Sequence, residues 1–345
     1  MTDEFSWPVV LNALLAHEDL TRPQARAVMA QIMAGEATEA QIAAFIVAIR
    51  SKGETADEMT GLVEAMLDSA VLVEIGEPVV DVVGTGGDGH GTFNISTTAA
   101  LITAGAGARV AKHGNRAASS PTGSADLLEA LGFDLEVDPE VTVQMVREIG
   151  FGFFFAPRYH PAMRFAGPVR QQIGVRTVFN FLGPLANPAR AKHAAIGVSD
   201  HDMASRMVQV LDNLGTSYAF VFHGEDGLDE LTTTGPSYIY RLRDGEVTHA
   251  EFTPEDFGVG RATIDALKGG DVDTNVAITR GVLAGEPGPA RDVAMVNAAP
   301  AIVVAGLADG FVDAMDLAAQ AIDSGDAAAV LERAVEFSQS AGGVE

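Results

Sequence analysis

A strand, a glycine-rich loop and a helix follow one another between residues 79 and 102, and this unit constrains the fold more than any other feature of the chain. Val79–Val83 is an apolar, strand-like run, and Gly84-Thr85-Gly86-Gly87-Asp88-Gly89 follows it directly. Glycines there let the backbone approach a ligand closely. Asn94-Ile95-Ser96-Thr97 then begins an apolar helix, whose first N–H groups and hydroxyls favour an anion. The unit predicts an α/β protein with a ligand site where a strand ends.

A second stretch concentrates polar groups at a similar junction. The sequence KHGNRAASS occupies residues 112–120, after a strand-like approach at 109–111 and before a helix beginning near Gly123. Two cations, an imidazole, an amide and two hydroxyls at a strand-to-helix turn favour anion binding. A solvated basic loop is the alternative for any single polar stretch of this kind.

The glycine-rich loop alone is a weak signal. It lacks the lysine–serine ending of a Walker motif and the spacing of a dinucleotide fingerprint. The loop, the helix start and the basic stretch nevertheless lie close together in the sequence. In combination they predict a phosphate-rich ligand that is held from several sides.

Short apolar strands alternate with helices from Val79 onward. The strand candidates are 79–83, 109–111, 151–155, 194–198 and 217–222. Such alternation predicts a mostly parallel sheet flanked by helices. Residues 237–250 alternate instead around Asp244-Gly245, a hairpin signal, and predict an antiparallel addition at the sheet's edge. The Ala-rich remainder from Arg261 is predicted to be helical.

The first seventy residues predict a small helical domain. Three capping-box patterns occur there, Thr21 with Gln24, Thr38 with Gln41 and Thr55 with Glu58. Apolar residues recur at helical spacing after the second and third patterns. These stripes are packing faces, and their spacing leaves open whether they pack within the chain or against a second subunit. The stripes are Ile42, Phe45, Ile46 and Ile49, then Met59, Leu62, Val63, Met66 and Leu67.

Composition narrows the class of protein. A chain of 345 residues exceeds the usual size of a single core, so two domains are expected. The net charge of −25 argues against a nucleic-acid-binding protein, while local cations and bound metal can still make one site positive. The absence of cysteine excludes disulfides and thiolate catalysis. No signal peptide and no apolar run of about 18 residues is visible, so a cytoplasmic location without membrane contact is expected.

Several motifs resemble the anthranilate phosphoribosyltransferase family: GTGGD at 84–88, NIST at 94–97 and KHGNRAASS at 112–120. The likeness spans nearly the whole chain, in order. It continues through FAPRYHP at 155–161, RTVFNFLGPLANP at 176–188, HGEDGLDE at 223–230 and NAA at 297–299. Gly91 is a departure, because asparagine or lysine is expected there, and it predicts a looser loop with one weaker diphosphate contact.

The resemblance implies a reaction and an organisation. The phosphoribosyl group of 5-phosphoribosyl 1-diphosphate passes to the amino group of anthranilate in L-tryptophan biosynthesis, and diphosphate is released. It implies a helical domain at 1–76, joined by helices from about 161–190, and a donor-binding α/β domain at 77–345. It also implies two Mg²⁺ per subunit and a homodimer formed through the helical domain. Catalysis is expected to be positional and metal-assisted, so no side chain is assigned as catalytic.

The resemblance also implies the site residues. For the donor they are Gly84, Gly87, Asp88, Thr92, Asn94, Ile95, Ser96, Thr97, Lys112, His113, Gly114, Asn115, Arg116, Ala117, Ala118, Ser119, Ser120 and Ser124. For anthranilate they are Gly84, His113, Asn115, His160 and Arg170. For the metal they are Ser96, Asp229 and Glu230.

Some of these residues have a simpler alternative role. The Asp229-Glu230 pair follows a strand, where Mg²⁺ finds the hard oxygens that it prefers, but a solvated acidic turn fits the sequence equally well. Arg170 closes the helix-like stretch 162–169, where an arginine is commonly solvated, although its guanidinium suits a carboxylate. His113 is expected to line the site rather than to transfer a proton, because an aromatic amine is already neutral near pH 7. His160 is expected to line the approach to the acceptor site.

Two other functions remain open from the residues. A pyrimidine nucleoside phosphorylase has the same type of fold and similar glycine-rich phosphate contacts, but it is expected to lack the 176–188 segment and the acidic pair. A non-enzymatic, nucleic-acid-binding relative would need a basic surface, which the net charge opposes.

Overall fold

The computed structural model describes residues 5–117 and 121–342, and within these ranges an all-helical start precedes alternating strands and helices. The α-helices are α1 Trp7–Leu15, α2 Arg22–Met33, α3 Glu39–Lys52, α4 Ala56–Asp68, α5 Ile95–Gly105, α6 Ser124–Ala130, α7 Pro139–Ile149, α8 Ala156–Tyr159, α9 Gly167–Ile173, α10 Phe179–Leu182, α11 His201–Asn213, α12 Val272–Leu283, α13 Pro289–Val304, α14 Phe311–Asp323 and α15 Asp326–Gly342. The strands are β1 Val80–Gly84, β2 Val110–Gly114, β3 Phe151–Phe155, β4 His193–Gly197, β5 Tyr218–Gly224, β6 Ser237–Arg243 and β7 Glu246–Phe252.

The strands form one sheet in the order β3-β2-β1-β4-β5-β6-β7. The first five strands are parallel, and β6 and β7 are antiparallel additions at one edge. The β6–β7 turn is made by Asp244 and Gly245, both with positive φ (49° and 83°), as a two-residue hairpin requires. The predicted mostly parallel sheet with an antiparallel edge is therefore confirmed, as is the helical C-terminal part.

The sheet has a topological switch point between its neighbouring strands β1 and β4. The strands β1, β2 and β3 run outward on one side, and β4 begins on the other side of β1. Gly84 and Gly197 end these two strands and lie opposite each other. In open α/β sheets, ligands bind outside the carboxyl ends of the strands at such a switch point. The topology therefore places the glycine-rich loop where a ligand site is expected.

The second strand is longer than the sequence suggested. It was predicted to cover 109–111, but β2 continues to Gly114 and pairs along its length with β3. The prediction that Lys112 and His113 lie in a loop is therefore wrong. A buried lysine inside a strand is rare, and it is accommodated here because neighbouring polar groups accept its hydrogens.

The first four helices form the predicted helical unit. All three capping boxes are present, at the starts of α2, α3 and α4. The two apolar stripes face inward: Phe45 and Ile49 of α3, like Leu62 and Val63 of α4, are fully buried. The stripes are thus packing within the chain. A different apolar set, Val9, Leu15 and Val47 of α1 and α3, stays exposed.

Residues 161–190 return to these helices. A short 3-10 helix at Pro161–Phe165 packs against α2, α9 packs against α3 and α10 packs against α4, while a 3-10 turn at Gly183–Leu185 contacts α10 and α11. Arg170 lies in the middle of α9 and does not close a helix, so that part of the sequence interpretation is wrong. The division into 1–76 and 77–345 stays a prediction.

The two faces of the sheet are covered differently. One face, including Val80 and Val82, packs with α5, α13, α14 and α15, and the other, including Val83 and Ile196, packs with the first helices and α11. At one edge, β3 is fully buried beneath α7, α8 and α15, whereas β7 at the other edge is mostly exposed.

Within the described residues, the helices are too short or too polar to cross a membrane.

Candidate active site

The glycine-rich loop follows β1 at the carboxyl edge of the sheet, and its backbone conformation depends on glycine. Gly86 and Gly87 have φ values of +68° and +77°, which side chains rarely tolerate. The Gly86 amide donates to Asp229 Oδ2 at 2.6 Å. A Cβ on Gly84 would lie 2.3 Å from the same oxygen. Glycine is therefore required at Gly84 because Asp229 occupies the space that a side chain would need.

Asp229 and Glu230 form a buried acidic pair at this edge, with 8% and 7% of their surface exposed. Burial, followed by the charge of Asp88, raises the pKa of Asp229 to about 7. Burial and the charge of Asp229 also raise the pKa of Glu230. Two neighbouring carboxylates in such surroundings favour either a proton or a cation. The solvated acidic turn is therefore not what the structure shows.

The acidic pair fits a magnesium site of a particular kind. Among the described residues, no group of three or more acidic, histidine or cysteine side chains is arranged to hold a metal on its own. Mg²⁺ is commonly held by one or two carboxylates together with substrate phosphates. Asp229 and Glu230 supply such carboxylates, and Ser96 lies beside them, since its backbone N–H donates to Glu230 Oε1 at 3.1 Å. The three residues predicted as metal ligands are thus brought together.

Lys112 lies beneath this pair. It is 1% exposed, and its Nζ donates to the Val82 carbonyl and lies 3.5 Å from Ser96 Oγ. Burial lowers its pKa to about 8, against the charges of Asp81, Glu230 and Asp229. Lys112 is therefore a buried countercharge for the acidic groups rather than an exposed loop cation. A direct contact with the donor stays a prediction.

The beginning of α5 presents both engaged and unpaired groups. The Asn94 side chain donates to the Thr122 carbonyl at 3.0 Å and accepts from Asn275 at 2.9 Å. Ile95 is buried in the core. The Thr97 hydroxyl is buried and has no hydrogen-bond partner among the described residues. The predicted donor-binding residues therefore include Asn94 and Ile95, which position the helix, and Thr97, whose hydroxyl lacks a partner among the described residues.

The loop after β2 is tied down by acids of α6. Arg116 donates to Glu129 at 2.7 and 2.9 Å and to Asp126 at 3.0 Å, and these bonds raise its pKa. Asp126 also accepts from the Ala117 amide, and Ser124 Oγ donates to the Asn115 carbonyl at 3.1 Å. Arg116 is thus not a free cation in this structure. Ala118, Ser119 and Ser120 lie outside the described residues.

The two other predicted donor residues flank the glycines. Asp88 Oδ1 accepts from the His90 amide at 3.2 Å, and Thr92 forms an isolated bridge with Lys268. The neighbouring Gly91 has a φ of +66°, a conformation that glycine and asparagine adopt most readily. Its carbonyl accepts from Gly269 N at 2.9 Å. The departure at Gly91 therefore suits the local backbone, and its effect on diphosphate contacts stays a prediction.

On the side where the acceptor is predicted to bind, the guanidinium of Arg170 lies without an anionic partner among the described residues. Arg170 stacks over Phe179, with Cζ 5.1 Å from the ring centroid. Burial lowers the pKa of Arg170, and none of the described residues makes a hydrogen bond or an ion pair with its guanidinium. A partly buried cation in this state is a suitable partner for a carboxylate.

His113 and His160 form a second part of this side, with ring centroids 5.2 Å apart. His113 Nδ1 donates to the Gly183 carbonyl at 3.2 Å, and His160 Nε2 donates to the Ala186 carbonyl at 2.8 Å. Burial lowers the pKa of His113 to about 3, so it is neutral near pH 7. Its Nε2 is buried without a partner in the described part of the chain. A neutral, held imidazole fits a wall of a substrate site.

One residue of this region was not assigned a role from the sequence. Arg176 appeared only within the segment that resembles the family, yet the structure places its guanidinium on the carbonyls of Gly86 and Gly87. Its charge also opposes the rise in the pKa of Asp229. The sequence held one signal for Arg176, because this arginine directly follows the Gly174-Val175 turn between two helices. Its partner Gly87, however, lies about ninety residues away in the sequence.

Fold and site together are those of a glycosyl-transferring protein with a helical bundle and an α/β domain. Residues 8–70 match the helical bundle domain of the glycosyl transferase family, and residues 76–328 match its a/b domain. The anthranilate phosphoribosyltransferase of Chloroflexus aurantiacus is 51% identical over 95% of this chain and 98% of its own length. The chain therefore belongs to the anthranilate phosphoribosyltransferase family.

Solved structures agree with this assignment. The anthranilate phosphoribosyltransferase of Thermus thermophilus superimposes with a TM-score of 0.91 at 42% identity, covering 96% of this chain and 99% of that one. The enzyme from Saccharomyces cerevisiae, in complex with PRPP and Mg, superimposes with a TM-score of 0.89 at 25% identity, covering 97% and 98%.

Proposed function

We propose that this chain transfers the phosphoribosyl group of 5-phosphoribosyl 1-diphosphate to the amino group of anthranilate, forming N-(5-phosphoribosyl)anthranilate and diphosphate. The observation that carries the proposal is the acidic pair Asp229-Glu230, seated against Gly84 and Ser96 at the switch point of the sheet. Neither nucleoside phosphorolysis nor nucleic-acid binding is favoured by the comparisons.

The donor is proposed to bind along the carboxyl edge of β1 and β2. The loop at 84–88 offers close backbone approach, and the first turn of α5 offers N–H groups and the unpaired hydroxyl of Thr97. Residues 112–120 complete this side, with Arg116 exchanging its acidic partners for phosphate oxygens. Mg²⁺, two per subunit, would be held by Ser96, Asp229 and Glu230 and would stabilise the charge of the departing diphosphate.

Anthranilate is proposed to bind with its carboxylate on Arg170. The guanidinium offers charge and a planar pair of donors, which fixes the direction of the aromatic ring. Gly84, Asn115, His113 and His160 would line the rest of this site. The neutral amine needs no general base to attack, and the side chains here orient it toward the anomeric carbon.

The reaction proceeds without a covalent enzyme intermediate in this proposal. The bond between the anomeric carbon and the diphosphate oxygen breaks with its electron pair leaving on diphosphate. The amine lone pair forms the new C–N bond, and the surplus amine proton passes to solvent. The chain's contribution is preorganised dipoles around the phosphates and alignment of the two reactants.

We also propose a homodimer formed through the helical domain and a cytoplasmic location. The exposed apolar residues Val9, Leu15 and Val47 of α1 and α3 support a surface for a second copy on these helices.

The test is an assay of the purified chain with the donor, Mg²⁺ and anthranilate, followed by the loss of anthranilate fluorescence and by product mass. Parallel reactions contain a pyrimidine nucleoside with phosphate, or labelled nucleic acid in a binding assay. Turnover of anthranilate alone supports the proposal. Phosphorolysis or nucleic-acid binding without anthranilate turnover would overturn it.

A further inference from the structure

The guanidinium of Arg176 holds the glycine-rich loop by its carbonyls. Nη1 donates to the Gly87 carbonyl at 3.0 Å, and Nη2 donates to the Gly86 carbonyl at 3.3 Å and to Ser199 Oγ at 2.6 Å. A Cβ on Gly87 would lie 3.1 Å from Arg176 Cζ, so the guanidinium packs directly on the glycine. One planar, charged group thus fixes two successive peptide units.

Other groups hold the rest of the loop. The Gly86 amide donates to Asp229, as described above, while Ser199 Oγ donates to the Gly86 carbonyl at 3.0 Å. Ser199 N also donates to Thr85 Oγ1 at 3.2 Å. With its carbonyls drawn toward Arg176, the loop directs the Gly86 amide to the side of the acidic pair. An anion-binding loop has to turn its carbonyls away from the ligand, and the contacts with Arg176 and Ser199 hold the Gly86 carbonyl in this way.

Arg176 reaches this loop from the acceptor side of the molecule. It follows Arg170 by six positions, and Gly174, with a φ of +67°, ends α9 between the two. Its guanidinium also stacks over Phe181 of α10, with Cζ 5.3 Å from the ring centroid. The Arg176 side chain therefore contacts both the donor loop and α10.

We propose that Arg176 is a positioning residue that sets the backbone of the donor loop and ties it to the segment bearing the acceptor site, so that donor and acceptor binding reinforce each other. This inference rests on the proposed function for the identity of the two ligands. It assigns Arg176 no contact with the reacting atoms.

The test compares Arg176→Ala, Arg176→Lys and the control Arg164→Ala. The Arg164 guanidinium stacks over Phe165 in the same segment, with Cζ 4.7 Å from the ring centroid, and it makes no hydrogen bond or ion pair with the described residues. The affinity for the donor with Mg²⁺ is measured by calorimetry, with and without saturating benzoate. Benzoate keeps the carboxylate and lacks the amine, so no turnover occurs.

Wild-type protein and Arg164→Ala are expected to bind the donor more tightly when benzoate is present. Loss of hydrogen bonds from a charged group typically weakens binding by about ten- to a hundredfold. Arg176→Ala should therefore lose donor affinity in this range and lose the effect of benzoate. Arg176→Lys should recover part of the affinity, because it keeps the charge and loses the planar pair of donors. Unchanged donor affinity in Arg176→Ala, or a benzoate effect that survives in it, would overturn the inference.

Hydrogen exchange without any substrate separates this inference from the proposed function. Amides of residues 85–89 should exchange faster in Arg176→Ala, while those of β4 and β5 keep their wild-type rates. Uniformly faster exchange would mean that Arg176 only supports the fold, and it would also contradict the inference. Failure of the wild-type chain to turn over anthranilate would refute the proposed function without affecting this exchange result.

Discussion

Asp229 Oδ2 occupies the position next to Gly84 that any side chain at residue 84 would need, with 2.3 Å between that oxygen and an added Cβ. The end of β1 and the acidic pair are therefore built around each other. This relation explains why a strand that ends in glycine is required there, and it makes residue 84 a direct probe of the acidic pair.

Gly84→Ala is expected to displace Asp229 and to remove most of the transferase activity. Forcing an extra methyl group into packed surroundings costs about 1–3 kcal/mol of stability. The measurements are turnover and thermal unfolding. Gly260→Ala is the control, because an added Cβ meets no atom within 4 Å there and its φ is not positive. Equal activity of the two variants would contradict the packing argument.

Replacing the acidic pair should separate stability from activity. In Asp229→Asn/Glu230→Gln, relief from burying two carboxylates is opposed by the loss of two countercharges of the buried Lys112, so thermal stability should change little compared with activity. The Mg²⁺ concentration needed for half-maximal turnover should rise sharply. Asp316→Asn, on the exposed side of α14, serves as the control. Full activity of the double variant at low Mg²⁺ would refute the metal assignment.

Arg170→Ala should impair the use of anthranilate and leave donor affinity near normal. The loss of a hydrogen bond to a charged group costs about 1.5–3 kcal/mol, or about one to two orders of magnitude in kcat/KM for anthranilate. Arg170→Lys should restore only part of this, since the planar pair of donors is lost. Steady-state kinetics with each substrate varied provide the measurement. Weaker donor binding with normal use of anthranilate would misplace the acceptor site.

His113 should make the fold sensitive to acid. Its pKa is lowered from 6.5 to about 3, so between these values the unfolded chain binds a proton that the folded chain does not. The free energy of unfolding therefore falls as the pH is lowered through this window, by up to about 1.4 kcal/mol per pH unit. Asp81, whose pKa is raised from 3.8 to about 6, acts in the opposite direction below pH 6.

Urea unfolding of wild type and His113→Gln between about pH 7 and about pH 5 checks this expectation. Both proteins retain Asp81, so the difference between their pH slopes isolates the histidine. The variant should lose less stability on acidification, whatever its stability at neutral pH. Parallel pH profiles would show that His113 takes up no proton on unfolding.

Light scattering should return about twice the 35.9 kDa mass of the chain. Val47→Asp, on the exposed face of α3, should shift the protein toward monomer because a charge would be buried at the interface. Val312→Asp is the matched control, since Val312 is also an exposed valine but lies on α14. A fully active monomer at all concentrations would refute the homodimer.

The strand–helix order and the capping boxes were predictable because they depend on local signals, such as the Thr21–Gln24 pattern and the Asp244-Gly245 turn. The environment of Lys112 was not predictable, because its partners Val82 and Glu230 belong to other strands and loops. The pairing of Arg116 with Asp126 and Glu129 could have been considered, since both acids lie on the helix that follows its loop. The role of Arg176 depends on a contact between distant segments, which a single sequence does not reveal.

The two edges of the sheet also bear on how the protein behaves at high concentration. An uncovered strand edge is a template for aggregation by strand addition. Here β3 is covered by helices, and the exposed β7 carries Glu246 and Glu251 near its two ends. A second copy adding to β7 would bring these carboxylates close to their equivalents, in a chain with a net charge of −25. The sheet therefore resists fibril-like growth, and concentrated solutions should stay clear near neutral pH and become prone to precipitation near the isoelectric point of about 4.5.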